Sequence, residues 1–134
     1  MKKIVAIILQ GLFVLILAQC NQKNKSNLIG VWKLQQMEIN GTKLQGSSLG
    51  NWMWEFNEEG GYLSDIAGAK EKGMYKLSGV NLIIKPVGAE KWPERSFTIS
   101  KLDSSELRLV ANGEKNKSSM WFIRVKADAV GEKD

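Results

Sequence analysis

Two counts narrow the chemistry open to this chain: it has no histidine, and its single cysteine is Cys20. Cys/His metal sites, Ser-His-Asp triads and Cys-His nucleophiles all need an imidazole or a second thiol, so they are excluded, as is a disulfide within the chain. Acid–base work by carboxylates, lysine and tyrosine is what remains. Glu58 and Glu59 are adjacent but sit in Asn57-Glu58-Glu59-Gly60, a turn by composition, with no third oxygen ligand at calcium spacing. Glu55, Glu90, Glu94 and Asp65 do not pair on one inward face of any expected strand. The reading is therefore a protein that is not an enzyme and carries neither metal nor cofactor.

Cys20 has a different chemistry. Met1-Lys2-Lys3 followed by an apolar run from Ile4 to Ala18 makes a secretory signal, too short for the ~17–25 residues of a membrane-spanning helix. Leu17-Ala18-Gln19-Cys20 closes it and resembles a bacterial lipobox, in which the cysteine is diacylated and becomes the new N-terminus. Gln19 stands where that pattern usually has a small residue, and ordinary cleavage after Cys20 is the alternative. Two acyl chains are what stable anchoring requires. The expected organisation is a signal peptide over 1–19, an acylated cysteine and flexible tether over 20–27, a barrel over 28–126 and a polar tail over 127–134. The address implied is the bacterial cell envelope, as an outer-membrane lipoprotein facing the periplasm.

Charge adds a further exclusion. With Lys2 and Lys3 set aside, 17 basic residues face 14 acidic ones, a formal +3. The lysines come as scattered pairs rather than a concentrated face, so nucleic acid is not an expected partner. At 43% hydrophobic and 25% charged, the composition is that of one globular domain.

From Leu28 onward, short alternating segments are divided by turn residues, the mark of an all-β sandwich or barrel. Trp32 and Leu34 share one parity and Met37 and Ile39 the other, which predicts a β-bulge near Gln35-Gln36 that brings both pairs inward. Asn40-Gly41 marks a turn and Gly46-Ser47-Ser48 a looser loop. Trp52, Trp54 and Phe56 follow on one face, then Tyr62, Ser64 and Ile66, and then Gly73, Tyr75 and Leu77. Leu82 to Lys85, Phe97 with Ile99, Leu107 with Leu109, and Ser118 to Val125 complete the series. Trp92, on the long irregular stretch between the fifth and sixth strands, reads as a loop anchor, with a lid as the alternative. Eight strands in succession, with no helical period between them, predict an eight-stranded antiparallel up-and-down β-barrel, whose closure removes the sheet edges.

Gly30-Val31-Trp32 on the first strand and Phe122-Ile123-Arg124 on the last, with Glu55-Phe56-Asn57 and Gly73-Met74-Tyr75-Lys76-Leu77 between, give the chain its family likeness. It resembles the lipocalin-like domains of small bacterial lipoproteins over about Leu28 to Lys126. The resemblance implies that Trp32 packs at the closed end of the barrel and that Arg124 lies across it, with Gly30, Trp32 and Arg124 forming a structural latch. A guanidinium over an indole face is favourable by about 0.5–2 kcal/mol.

A barrel of this size is either filled by its own side chains or holds one small ligand. The inward residues expected are Trp54, Phe56, Tyr62, Tyr75, Leu77, Leu82, Ile84, Phe97, Ile99, Leu107, Leu109, Met120 and Phe122. Of these, Trp54, Phe56, Tyr62, Tyr75, Ile84, Phe97, Leu109 and Phe122 are the candidates to line a site for a small hydrophobic ligand, with tyrosine hydroxyls as polar anchors. The competing expectation is a plugged barrel acting as a structural or protein-interaction lipoprotein. Its surface would be the outward strip of Trp121, Ile123 and Val125.

Overall fold

Period-two alternation governs the architecture, because successive side chains of a strand point to opposite faces. The computed structural model describes residues 24–87, 93–113 and 117–126. The leader, Cys20, Trp92 and the tail lie outside them. The strands are β1 (Gly30–Ile39), β2 (Thr42–Gln45), β3 (Trp52–Phe56), β4 (Gly61–Ile66), β5 (Ala69–Ser78), β6 (Asn81–Pro86), β7 (Arg95–Leu102), β8 (Glu106–Ala111) and β9 (Ser118–Arg124). All pair antiparallel with neighbours in sequence, and β1 also pairs with β9 from Trp32↔Arg124 to Ile39↔Ser118, so the sheet closes on itself.

Among the described residues, nine elements nonetheless make an eight-stranded barrel. β2 pairs with Gln36 to Ile39 of β1, and β3 pairs with Gly30 to Lys33 on the same side of that strand. The two are halves of one descending strand, interrupted by an excursion that includes a 3₁₀ turn at Gly46–Ser48. The sequence expectation contained no strand at β2. Its residues, Thr-Lys-Leu-Gln, include no buried position, so pairing there is carried by the backbone.

The expected bulge is present: the β1–β9 register shifts between Leu34 and Gln36, leaving Gln35 as the extra residue. It turns Met37 inward beside Trp32 and Leu34, while Ile39, at the strand end, stays exposed. A second shift between Ile99 and Lys101 bends β7. The core is a single cluster running the length of the barrel.

The β7–β8 turn is held by Asp103, whose Oδ1 accepts from the backbone N–H groups of Ser105 (2.8 Å) and Glu106 (2.7 Å) and from the Ser105 hydroxyl (3.0 Å). These donors, helped by Lys101, hold the carboxyl below its ordinary pKa. A depressed acid stabilises the fold above the unfolded-state pKa of about 3.9, and that contribution is lost as pH falls through the lower folded value. An NMR titration of the Asp103 carboxyl is expected to show a midpoint below that of free aspartate, and Asp103→Asn to flatten stability over that acid window. An unshifted midpoint would contradict the turn geometry.

Candidate functional site

One end of the barrel is shut by the residues that enter it. Residues 24–28 are helical, so the last four residues of the expected tether, 24–27, form an ordered turn. Asn24 Nδ2 donates to the Gly79 carbonyl (3.3 Å), and Leu28 is fully buried beneath the barrel. Trp32 Nε1 donates to the Leu28 carbonyl at 2.9 Å. Arg124 lies across the indole with Cζ 4.4 Å from the ring centroid. Its Nη1 donates to the Ile29 carbonyl (2.7 Å), its Nε to the Ser104 carbonyl (2.7 Å) and its Nη2 to the Asn27 carbonyl. Gly30 makes this possible: at φ +140 its missing Cβ would fall on the Arg124 guanidinium. Gly30, Trp32 and Arg124 thus come together at the closed end.

Above the latch the barrel is packed with aromatic rings. Trp54 sits at the hub, with ring centroids 4.9 Å from Phe122, 5.6 Å from Tyr62, 5.7 Å from Phe97 and 6.2 Å from Phe56. Phe56 in turn meets Tyr62 at 5.7 Å and Tyr75 edge-on at 5.1 Å. All eight candidate ligand-lining residues are buried in this cluster, and Leu77 packs against it half-buried. The Tyr75 hydroxyl is committed to the Asn57 carbonyl at 2.7 Å, so it is a structural group rather than an anchor. The concavities of about 350, 290 and 520 Å³ are lined mainly by outward and rim residues; of the eight candidates, Leu109 touches the first and Tyr62 the second, and none is lined by Trp54, Phe97 or Phe122.

Toward the other end the interior becomes polar. Trp54, Ser64 and Glu71 are successive cross-strand partners on β3, β4 and β5. Glu71 pairs with Arg95 of β7, with side chains 13% and 29% exposed, so the two charges neutralise each other in a largely dry place. The Tyr62 hydroxyl sits beside Ser64, Arg95 and Glu71, and burial raises its pKa above the usual phenol value. It is therefore a neutral donor across the physiological range. Trp54 Nε1, Tyr62 Oη, Ser64 Oγ and Arg95 Nε are buried and none makes a well-aligned hydrogen bond among the described residues, although the Tyr62 hydroxyl lies within reach of Ser64 and Arg95. Trp54, Tyr62 and Ser64 are each at most 3% exposed. Unsatisfied buried polar atoms cost stability, roughly 1–3 kcal/mol each.

Comparison with solved structures agrees with the closed barrel. A lipocalin-like protein from Bacteroides uniformis aligns with a TM-score of 0.57 at 23% identity, covering 74% of this chain and 99% of that one. The fold is lipocalin-like. A second structure, a protein from Bacteroides eggerthii, aligns over 73% of this chain and 99% of its own at 19% identity, with a TM-score of 0.55. No protein-family model matches the chain, and no curated protein matches it.

The outer face of this lipocalin-like barrel differs from a continuous apolar strip. Arg108 lies over the Trp121 ring at 5.2 Å, its strand partner in register, and leaves Trp121 half-buried. Val125 is half-buried, its N–H bonded to the Val31 carbonyl at 2.9 Å, and Ile123 is the exposed member. Sequence reasoning missed Glu71 and Arg95 as interior residues and gave Ser64 no role. The available signal was parity: Glu71 shares it with Gly73 and Tyr75, and Arg95 with Phe97 and Ile99.

Proposed function

We propose that this protein is a lipid-anchored, lipocalin-like binding barrel of the bacterial cell envelope, held on the periplasmic side of the outer membrane through Cys20. It takes one small hydrophobic ligand at its open end and does no catalysis. The observation that carries the reading is the set of unpartnered polar atoms of Trp54, Tyr62 and Ser64 beside the Glu71–Arg95 pair. The indole and guanidinium N–H groups can only donate, so a ligand that satisfies them brings acceptors. The Glu71–Arg95 pair is neutral as a unit and leaves no net charge for an ionic ligand to match. An apolar body carrying an uncharged carbonyl-type oxygen fits both conditions. A long acyl chain does not, because the barrel below Trp54 is full.

That filled interior favours one second reading, a protein-interaction lipoprotein using the surface around Trp121, Ile123 and Val125. The two separate on a double variant. Tyr62→Phe with Ser64→Ala removes unpartnered polar atoms, so the ligand-free barrel is expected to be as stable as the parent or slightly more so. Ligand recovered by solvent extraction of the purified variant is expected to fall at least about tenfold, the equivalent of one lost hydrogen bond to a buried partner of ~1.4 kcal/mol. Equal ligand recovery from parent and variant, or a marked drop in melting temperature, would overturn the assignment of these groups to binding.

A further inference from the structure

The docked turn at the closed end has a consequence for how the anchored barrel stands on its membrane. We infer that the closed end faces the bilayer and the open end faces the aqueous side, so that ligand passes to and from the aqueous side rather than directly out of the lipid. The inference rests on the anchoring proposed above.

Cys20 is four residues before Asn24, and at ~3.3–3.6 Å per residue the chain between them spans at most about 14 Å. Asn24 sits at the closed end of the barrel. It is tied to Gly79 at the β5–β6 turn, and the residues that follow it are held by buried Leu28 and by Arg124, which binds the Asn27 and Ile29 carbonyls. The leash therefore leaves from the closed end and is short.

β5 runs the height of the barrel from its open end at Ala69 to its closed end at Ser78. Ten residues at ~3.3 Å rise and a tilt of ~35–45° give a height of about 20–25 Å. Turning the open end to the bilayer would require the leash to cover that height, which exceeds its reach. Val80, next to Gly79 on the closed end, is 50% exposed and offers the lipid surface an apolar contact. Exposed Glu58 and Glu59 share this end with exposed Lys25 and Lys126, so its charges offset one another and the leash, not surface charge, sets the orientation.

The experiment uses the full-length acylated protein in phospholipid vesicles containing a headgroup nitroxide lipid. Acylation consumes the only native thiol, so one introduced cysteine takes a fluorophore alone: Glu58→Cys at the closed end, or Lys70→Cys at the open end. Closed-end fluorescence is expected to be largely lost and open-end fluorescence largely kept. Equal quenching of the two labels, as for a barrel lying on its side, or stronger quenching at Lys70→Cys, would overturn the orientation alone. Protein that stays in the supernatant when the vesicles are sedimented would overturn the anchoring and the orientation with it.

Discussion

Replacing Arg124 with alanine is expected to lower the melting temperature by roughly 8–30 °C while leaving ligand at the open end bound with little change. The side chain closes four contacts at once: the Trp32 face and the carbonyls of Asn27, Ile29 and Ser104. A cation–π contact contributes about 0.5–2 kcal/mol and a hydrogen bond from a charged donor about 1.5–3 kcal/mol, but these overlap and the guanidinium keeps some water. A net loss of about 2–4 kcal/mol is the consistent figure, and each kcal/mol moves a domain of this size by about 4–8 °C. Arg124→Lys should recover little of it, because an ammonium cannot lie flat on the indole and reach three carbonyls. Calorimetry on the two variants checks the point. An unchanged melting temperature, or a folded variant that no longer holds ligand, would mean that the latch has been mistaken for something else.

Trp54→Ala is expected to cost more at a single position, about 3–5 kcal/mol, because it empties the hub on which four other rings pack. It should also change what the barrel can hold. Removing the indole opens apolar space continuous with Phe97 and Phe122, so the variant should gain affinity for a small apolar probe that the parent does not take up in its depths. Urea unfolding and probe titration are the two readouts. Should the alanine variant fail to fold, Trp54→Leu keeps part of the packing and is expected to show the same two effects in smaller measure. Parent protein that binds the deep apolar probe as well as the variant would contradict a filled interior.

The closed end was legible in the sequence because its parts are local. Gly30 and Trp32 lie two apart on one strand, and Arg124 follows Phe122 at the end of another, so pairing first strand with last brings them together. The bulge at Gln35 was legible because the change of apolar parity between Leu34 and Met37 has few other physical causes. β2 was not, since Thr42–Gln45 buries no side chain and leaves no alternation to read. The turn over 24–28 is too short to show a helical period, and what orders it is Arg124, about a hundred positions away. The polar end of the interior was hidden for another reason. Charged residues at Glu71 and Arg95 argue locally for solvent, and only the sheet register reveals that each neutralises the other inside. Trp121 shows the reverse case: its parity pointed outward correctly, but the cover supplied by Arg108 depends on the β8–β9 register.

The most direct test of the binding account compares native with denaturing mass spectrometry of residues 21–134, produced without the leader and purified without detergent. The expected result is a monomer whose native spectrum carries one extra small mass that denaturation removes and that Tyr62→Phe with Ser64→Ala diminishes. A bare monomer, after exposure to envelope lipid extract as well as to the expression host, would contradict it. A bare dimer would contradict it too, and would move the function to the surface around Trp121, Ile123 and Val125.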